Sequence, residues 1–317
     1  MATLQDGGRY GFRSIGIGPG GAMDNFAMMV SNFLLGNEET AAALEINFPA
    51  PEILFQQNAL VSLTGADLST TINNIEIPLW RPIFVKKESI LKFKQPAWGS
   101  KIYLSVQGGL QSDKWLGSYS THLKVLAGGH SGRALQKGDI VLFKENNFSL
   151  SENKILNWHI SHNEVDKIYQ PLNIIRCIKG VEWDLLDETS KQGFGKTDFS
   201  ITNQSDRMGY RLSGTSLSLQ SPTEIISSAV DAGIVQLLPD GNLIVLMADH
   251  QTTGGYPRIA SVIKADMPKL SQVSPGQTIN FRIINIKEAE DALISMMQAL
   301  TEIKAGCHLN FEKYFQS

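Results

Sequence analysis

The apolar residues of this 317-residue chain arrive in short runs, each closed on both sides by turn residues. Leu60–Leu63, Ile102–Val106, Ile140–Phe143 and Leu243–Leu246 are too short for ordinary helices and are bounded by Gly, Asp and Asn. That pattern predicts core strands of a barrel or sandwich. The 28 glycines and 12 prolines, spread along the whole chain, supply the turns between them. The fold class is therefore mainly β with a few helices. Two helices stand out. One runs from Asp24, an N-cap candidate, to Leu35 before the C-cap pair Gly36-Asn37. The other, Lys287 to Ile303, sets Ala289, Leu293, Met296, Met297 and Leu300 near one face, where the methionines read as core filler.

At about 100–200 residues per domain, the length suggests two domains, placed at 1–150 and 151–317. Weak internal similarities run in one order. Arg9–Arg13 resembles Arg207–Arg211, and Glu45-Ile46 resembles Glu224-Ile225. Leu60–Asp67 then resembles Leu243–Asp249, and Gly138–Phe143 resembles Gly276–Phe281. They suggest two similar β units joined by the polar stretch Asn146–Lys154.

Lysine and arginine total 28 against 31 aspartates and glutamates, so a general phosphate-backbone binder is not expected and no nucleic-acid partner is assigned. No run approaches the roughly 18 apolar residues of a membrane helix, and the first residues do not form a secretory signal. Cys177 and Cys307 fit neither a disulfide framework nor a cysteine-rich zinc site. A soluble, cytoplasmic protein with no membrane partner is the expectation.

Three segments carry chemistry. Gly16–Asp24 is a glycine-rich stretch entering a helix, either a tight turn capped by Asp24 or a substrate-facing loop with anion-binding amides. It lacks the Gly-Lys-Ser/Thr ending of a phosphate-binding loop. Gly128–Arg133 places one imidazole and one guanidinium between glycines, and Arg133 is either a bidentate anion clamp or a surface ion pair. The densest polar run is Asp249-His250-Gln251-Thr252-Thr253-Gly254-Gly255-Tyr256-Pro257, directly after an apolar strand. A carboxylate and an imidazole there suit acid–base work, while Gln251 and the threonines suit alignment of an amide or carboxylate. Among six histidines only His159 and His162 lie close together, without a metal-binding frame, so no metal site is assigned. Ser118, Ser120, Ser227 and Ser228 lack the Gly-x-Ser-x-Gly context of a serine hydrolase.

At these segments the sequence resembles the family of 5-oxoprolinase C subunits, also described as biotin-dependent carboxyltransferase or allophanate-hydrolase-subunit-2-like proteins. Its markers include Gln5–Arg9, Gly20–Asp24, Gly36-Asn37, Thr64–Ala66, Gly108-Gly109 and Gly117–Thr121. They continue through Gly132–Leu135, Gly138-Asp139, Asp206–Gly209 and Asp249–Pro257. The family usually has arginine where this chain has Tyr119 and His250. The resemblance implies two cyclophilin-like β-barrel domains, the second with a C-terminal helix, and partnership with A-like and B-like subunits of one complex. It implies a component of an ATP-dependent lactam hydrolase that opens 5-oxo-L-proline to L-glutamate, with MgATP shared within the complex. Its alternatives are transfer of a carboxyl group from carboxybiotin to a urea-like amide, and regulation of a sensor kinase through an inhibitor protein. The chain has no biotin-carrier motif, so biotin would arrive on another protein.

Within that resemblance the expected catalytic set is Asp249 for proton transfer, with Gln251 and Thr253 aligning the lactam. Arg9 or Arg133 is expected to take an anion, and Asp24, Ser118, Thr252 and Tyr256 complete the substrate-binding set.

Overall fold

A computed structural model describes residues 1–144 and 151–315. The chain divides into two compact units, one made of residues 1–9, 20–165 and 298–317, the other of 10–19 and 166–297. The expected linker Asn146–Lys154 lies partly outside the described residues.

In the first unit the strands are β1 (Ala2–Gln5), β2 (Ala43–Asn47), β3 (Ile53–Leu54), β4 (Ala59–Asp67) and β5 (Thr71–Ile72). They continue as β6 (Ile75–Glu76), β7 (Pro82–Val85), β8 (Ile90–Lys92), β9 (Trp98–Val106) and β10 (Lys154–Ile155). Six form a sheet in the order β1-β2-β9-β4-β7-β10 and four form a second, β3-β8-β5-β6. Strand β4 is buried on both faces. Ala59, Val61 and Leu63 join the core with Leu4, Ile46, Ile102 and Leu104. The opposite face meets helix α1 (Asn25–Phe33), and small hydroxyls let it approach: Ser62 donates to the Ser31 carbonyl at 2.6 Å and Thr64 to that of Ala27 at 2.7 Å. The expected α1 start holds, because Asp24 accepts from the Ala27 amide at 2.9 Å. Its stop also holds, with Gly36 at φ 66°.

Helix α2 (His162–Tyr169) leads into the second unit, whose helices are α3 (Glu188–Phe194) and α4 (Met267–Ser271). Its strands are β11 (Ile174–Lys179), β12 (Asp198–Ile201), β13 (Gly209–Ser213), β14 (Ser228–Ala229) and β15 (Ile234–Leu237). The others are β16 (Leu243–Leu246), β17 (Thr253–Gly254), β18 (Arg258–Val262) and β19 (Thr278–Ile283). Seven close into a barrel, β11-β18-β15-β16-β13-β12-β19, while β14 and β17 pair as a separate two-stranded ribbon. Aromatic rings pack together in this unit, with Phe194 of α3 stacked on Phe281 of β19 at 4.9 Å between centroids. The mainly β expectation holds, and no helix among the described residues is long and apolar enough to cross a membrane.

Three expectations are corrected. Ile140–Phe143 is not a strand; Val141 and Phe143 pack on the core while Ile140 and Leu142 are each 59% exposed. Helix α5 runs from Ile286 to Phe315, beyond the expected end, and Met297 is 52% exposed rather than core filler. Of the four internal similarities, only Leu60–Asp67 with Leu243–Asp249 sets strand against strand, β4 and β16. Glu45 lies in β2 but Glu224 in no strand, and Gly276–Phe281 enters β19 while Gly138–Phe143 does not form one. Arg9–Arg13 leads to a short 3-10 turn, whereas Arg207–Arg211 enters β13.

Candidate functional site

Strand β16 delivers the chain to Asp249 at the edge of the barrel, where it meets the residue that precedes β13 by two positions. Arg207 donates to both Asp249 oxygens, from Nε at 2.8 Å and from its terminal nitrogen at 3.0 Å. The two side chains are only 7% and 9% exposed, and the Asp249 amide donates to the Arg207 carbonyl at 2.8 Å. Both Asp249 oxygens thus accept from one guanidinium fork, which ties the loop to the residues before β13.

His250 goes another way. Its Nδ1 lies 2.6 Å from the Gln251 carbonyl oxygen and its Nε2 3.6 Å from Asp231. Arg13 approaches the same aspartate at 3.4 Å and also donates to the Val230 carbonyl. His250 is the main cause holding the Asp231 carboxyl down to about 2, helped by the Ala232 amide and the Arg13 charge. The glycine-rich segment explains itself here, because a Cβ at Gly18 would stand 2.8 Å from the His250 carbonyl oxygen. Sequence reading missed Asp231 and Arg13 in this cluster, since neither sits in a polar run.

Beyond His250 the polar run turns outward. Gln251, Thr253 and Tyr256 are exposed and Thr252 is half-buried, so these four expected residues are presented together on one loop. Thr253-Gly254 forms β17 and pairs antiparallel with β14, Ser228 opposite Gly254. Beneath the ribbon lies Gln236 of β15, 1% exposed, with no hydrogen-bond partner on either amide atom. Leaving such a group unsatisfied costs about 1–3 kcal/mol, so its retention calls for a reason. Val235 and Leu237 face the barrel core, and alternation turns Gln236 to the opposite face. Arg258, opposite Gln236 in register, is locked to Glu182 at 2.6 and 2.9 Å, which holds the Glu182 carboxyl below its usual range. A groove of about 740 Å³ adjoins the ribbon, lined by Glu224, Ile225, Leu237, Leu238, Gly255 and Tyr256 among others.

The remaining expected site residues belong to the first unit. Asp24 is fully buried and serves as the α1 cap. Ser118 is buried and donates to Asp6 at 2.6 Å, as does Ser120, while the Tyr119 amide donates to the other Asp6 oxygen. Arg9 is 2% exposed, donates to the Ser120 carbonyl and lies 4.9 Å over the Trp115 ring. Arg133 closes its fork on Asp139 at 2.6 and 2.8 Å, and this pairing holds the Asp139 carboxyl well below its ordinary value. Both arginines are thus engaged within the fold.

The family profile "Carboxyltransferase domain, subdomain A and B" matches residues 15–283. The chain belongs to this family. It is 38% identical to the C subunit of the Haemophilus influenzae 5-oxoprolinase over 91% of this chain and 90% of that protein. Against the Escherichia coli protein of the same name it is also 38% identical, covering 90% and 89%. The crystal structure of the K. lactis urea amidolyase superposes with a TM-score of 0.85 at 26% identity, covering 95% of this chain and 19% of that one. The carboxyltransferase family therefore joins relatives named for lactam and for urea chemistry, and this chain spans about a fifth of the larger urea enzyme.

Proposed function

We propose that this carboxyltransferase-family chain is the C-type subunit of a cytoplasmic, ATP-dependent 5-oxoprolinase, working with A-like and B-like partners. The observation that carries the reading is its 38% identity, over nine-tenths of both chains, to two proteins named as C subunits of 5-oxoprolinase. In the reaction one water is consumed as ATP is hydrolysed to ADP and phosphate, and a second adds across the lactam amide. The carbon–nitrogen bond breaks, the carbonyl carbon gains an oxygen and the ring nitrogen becomes the amine of L-glutamate.

The exposed loop supplies what a small lactam needs for orientation. The Gln251 carboxamide offers a donor and an acceptor, the Thr252 and Thr253 hydroxyls bind carbonyl or carboxylate oxygen, and the Tyr256 hydroxyl donates at the rim. Asp249 acts at one remove, holding this loop to the barrel through Arg207. The two arginines expected to take an anion are engaged within the fold, Arg133 with Asp139 and Arg9 with the Ser120 carbonyl and the Trp115 ring. MgATP is taken as shared with the partner proteins.

The test mixes the chain with its A-like and B-like partners, 5-oxoproline and MgATP, and follows glutamate and ADP together. Coupled release of both that disappears when this chain is omitted is the expected result. A folded, assembled complex that makes no glutamate overturns the reading. Carboxyl transfer to a urea-like amide is the second reading, favoured by the 0.85 TM-score to the K. lactis urea amidolyase. It requires carboxybiotin on a separate carrier, so a biotinylated co-purifying partner seen on a streptavidin blot would favour it.

A further inference from the structure

We propose that Gln236 is a buried amide-reading residue of this site and that the β14–β17 ribbon is the flap that covers it. The inference rests on the lactam reading for its first ligand. Three polar atoms, both amide atoms of Gln236 and the Ser228 Oγ, are buried without hydrogen-bond partners. Their common direction follows from the register. A Cβ built on Gly254 would lie 2.5 Å from Gln236 Nε2, so the empty side of Gly254 faces the amide. Ser228 stands directly opposite Gly254, and directly paired residues project to the same face of a ladder. The Ser228 hydroxyl and the Gln236 amide therefore address one polar space.

The cover is built to open. Each of its strands is two residues long, and a short two-stranded ribbon is marginal on its own. The Val230 amide also donates to the Thr252 carbonyl at 3.1 Å, and the Ala229 and Val230 carbonyls accept from the Arg258 and Arg13 side chains at the ribbon's edge. The open groove is lined by Gly255, the residue that follows Gly254 at the end of β17. Lifting the ribbon joins that groove to the amide.

The chemistry selects the ligand class. A primary carboxamide presents N–H and C=O along one edge. A five-membered lactam is a cis amide, so its own N–H and C=O also share an edge, and the two edges pair through two parallel hydrogen bonds. Urea has the same edge, whereas a trans secondary amide does not. Gln236 would thus recognise cis amides and ureas in common.

Calorimetric titration of the full chain and of Gln236→Leu with 5-oxoproline, 1-methyl-5-oxoproline and urea tests this. The wild type is expected to bind 5-oxoproline at least about tenfold more tightly than the N-methyl compound. In Gln236→Leu that preference should vanish, 5-oxoproline should bind about tenfold more weakly, and Tm should hold or rise because a buried unsatisfied amide is gone. Equal binding of 5-oxoproline by both proteins keeps the enzyme reading and overturns the inference. Urea bound by the wild type and lost in the variant, with 5-oxoproline unbound, upholds Gln236 and counts against the lactam reading. A lowered Tm with unchanged N-methyl discrimination makes Gln236 purely structural. Should the variant not fold, wild-type indifference to N-methylation, or binding of neither cis amide, overturns the inference.

Discussion

Asp249→Asn separates an anchoring carboxylate from a proton-transfer group, because the two roles predict different losses. The change preserves shape but removes the charge opposite Arg207, whose side chain is 7% exposed. Removing one partner of a buried ion pair costs about 3–5 kcal/mol. Asparagine keeps an oxygen able to accept one of the two bonds now made at 2.8 and 3.0 Å, which puts the cost near the lower end, about 3 kcal/mol. For a unit of this size each kcal/mol lowers Tm by roughly 2–4 °C, so a drop of about 6–12 °C is expected in scanning calorimetry. The loss should persist in high salt, since burial shields the pair from screening. Glutamate formation by the folded fraction of the reconstituted complex should remain within about tenfold of wild type, short of the ~10²–10⁴-fold loss of a missing acid–base group. An unchanged Tm with turnover reduced by about a hundredfold or more would refute the anchoring argument and restore Asp249 to the chemistry.

Further expectations follow from the same geometry. The Asp231 carboxyl is held down to about 2, chiefly by His250, and Glu182 is held low chiefly by Arg258. Because these values are depressed on folding, their stabilisation is complete above the ordinary carboxylate value near 4 and is lost as pH falls toward 2. Tm should therefore fall as pH drops below about 4; a profile that stays level from pH 5 to pH 3 contradicts it. Burial pushes the Cys177 and Cys307 thiols up to about 12, so neither should react with a thiol reagent at pH 8 until the chain is unfolded. Gly36 holds φ 66° with the Phe311 ring 2.9 Å from where a Cβ would stand, so Gly36→Ala should destabilise by at least about 1–2 kcal/mol in denaturant unfolding. In contrast, Asp24→Ala should cost at least about 1 kcal/mol of stability, for the lost cap, while leaving the KM for 5-oxoproline unchanged.

What the sequence discloses here is the supply of side chains, and what it hides is which of them the fold has already used. The runs at Leu60, Ile102 and Leu243 read as strands because uninterrupted apolar residues have no other place to go, and β4, β9 and β16 follow. Ile140–Phe143 has the same composition, yet only Val141 and Phe143 are drawn to the core, a division set by its neighbours. The same limit governs the site. Asp249–Pro257 is legible as a polar run, but adjacency in sequence conceals divergence in space: Asp249 meets Arg207, His250 faces Asp231 and Gly254 covers Gln236. Arg9 and Arg133 read as anion clamps because a guanidinium always advertises a fork. Only the tertiary structure places one on a carbonyl and a tryptophan ring and closes the other on Asp139. Gln236 shows the converse. It stands between Val235 and Leu237, outside every segment singled out in the sequence. Its amide lies against Gly254, in a ribbon joined from two separate segments, Ser228–Ala229 and Thr253–Gly254. A buried amide that the fold itself leaves unsatisfied is therefore information that no reading of local pattern can supply.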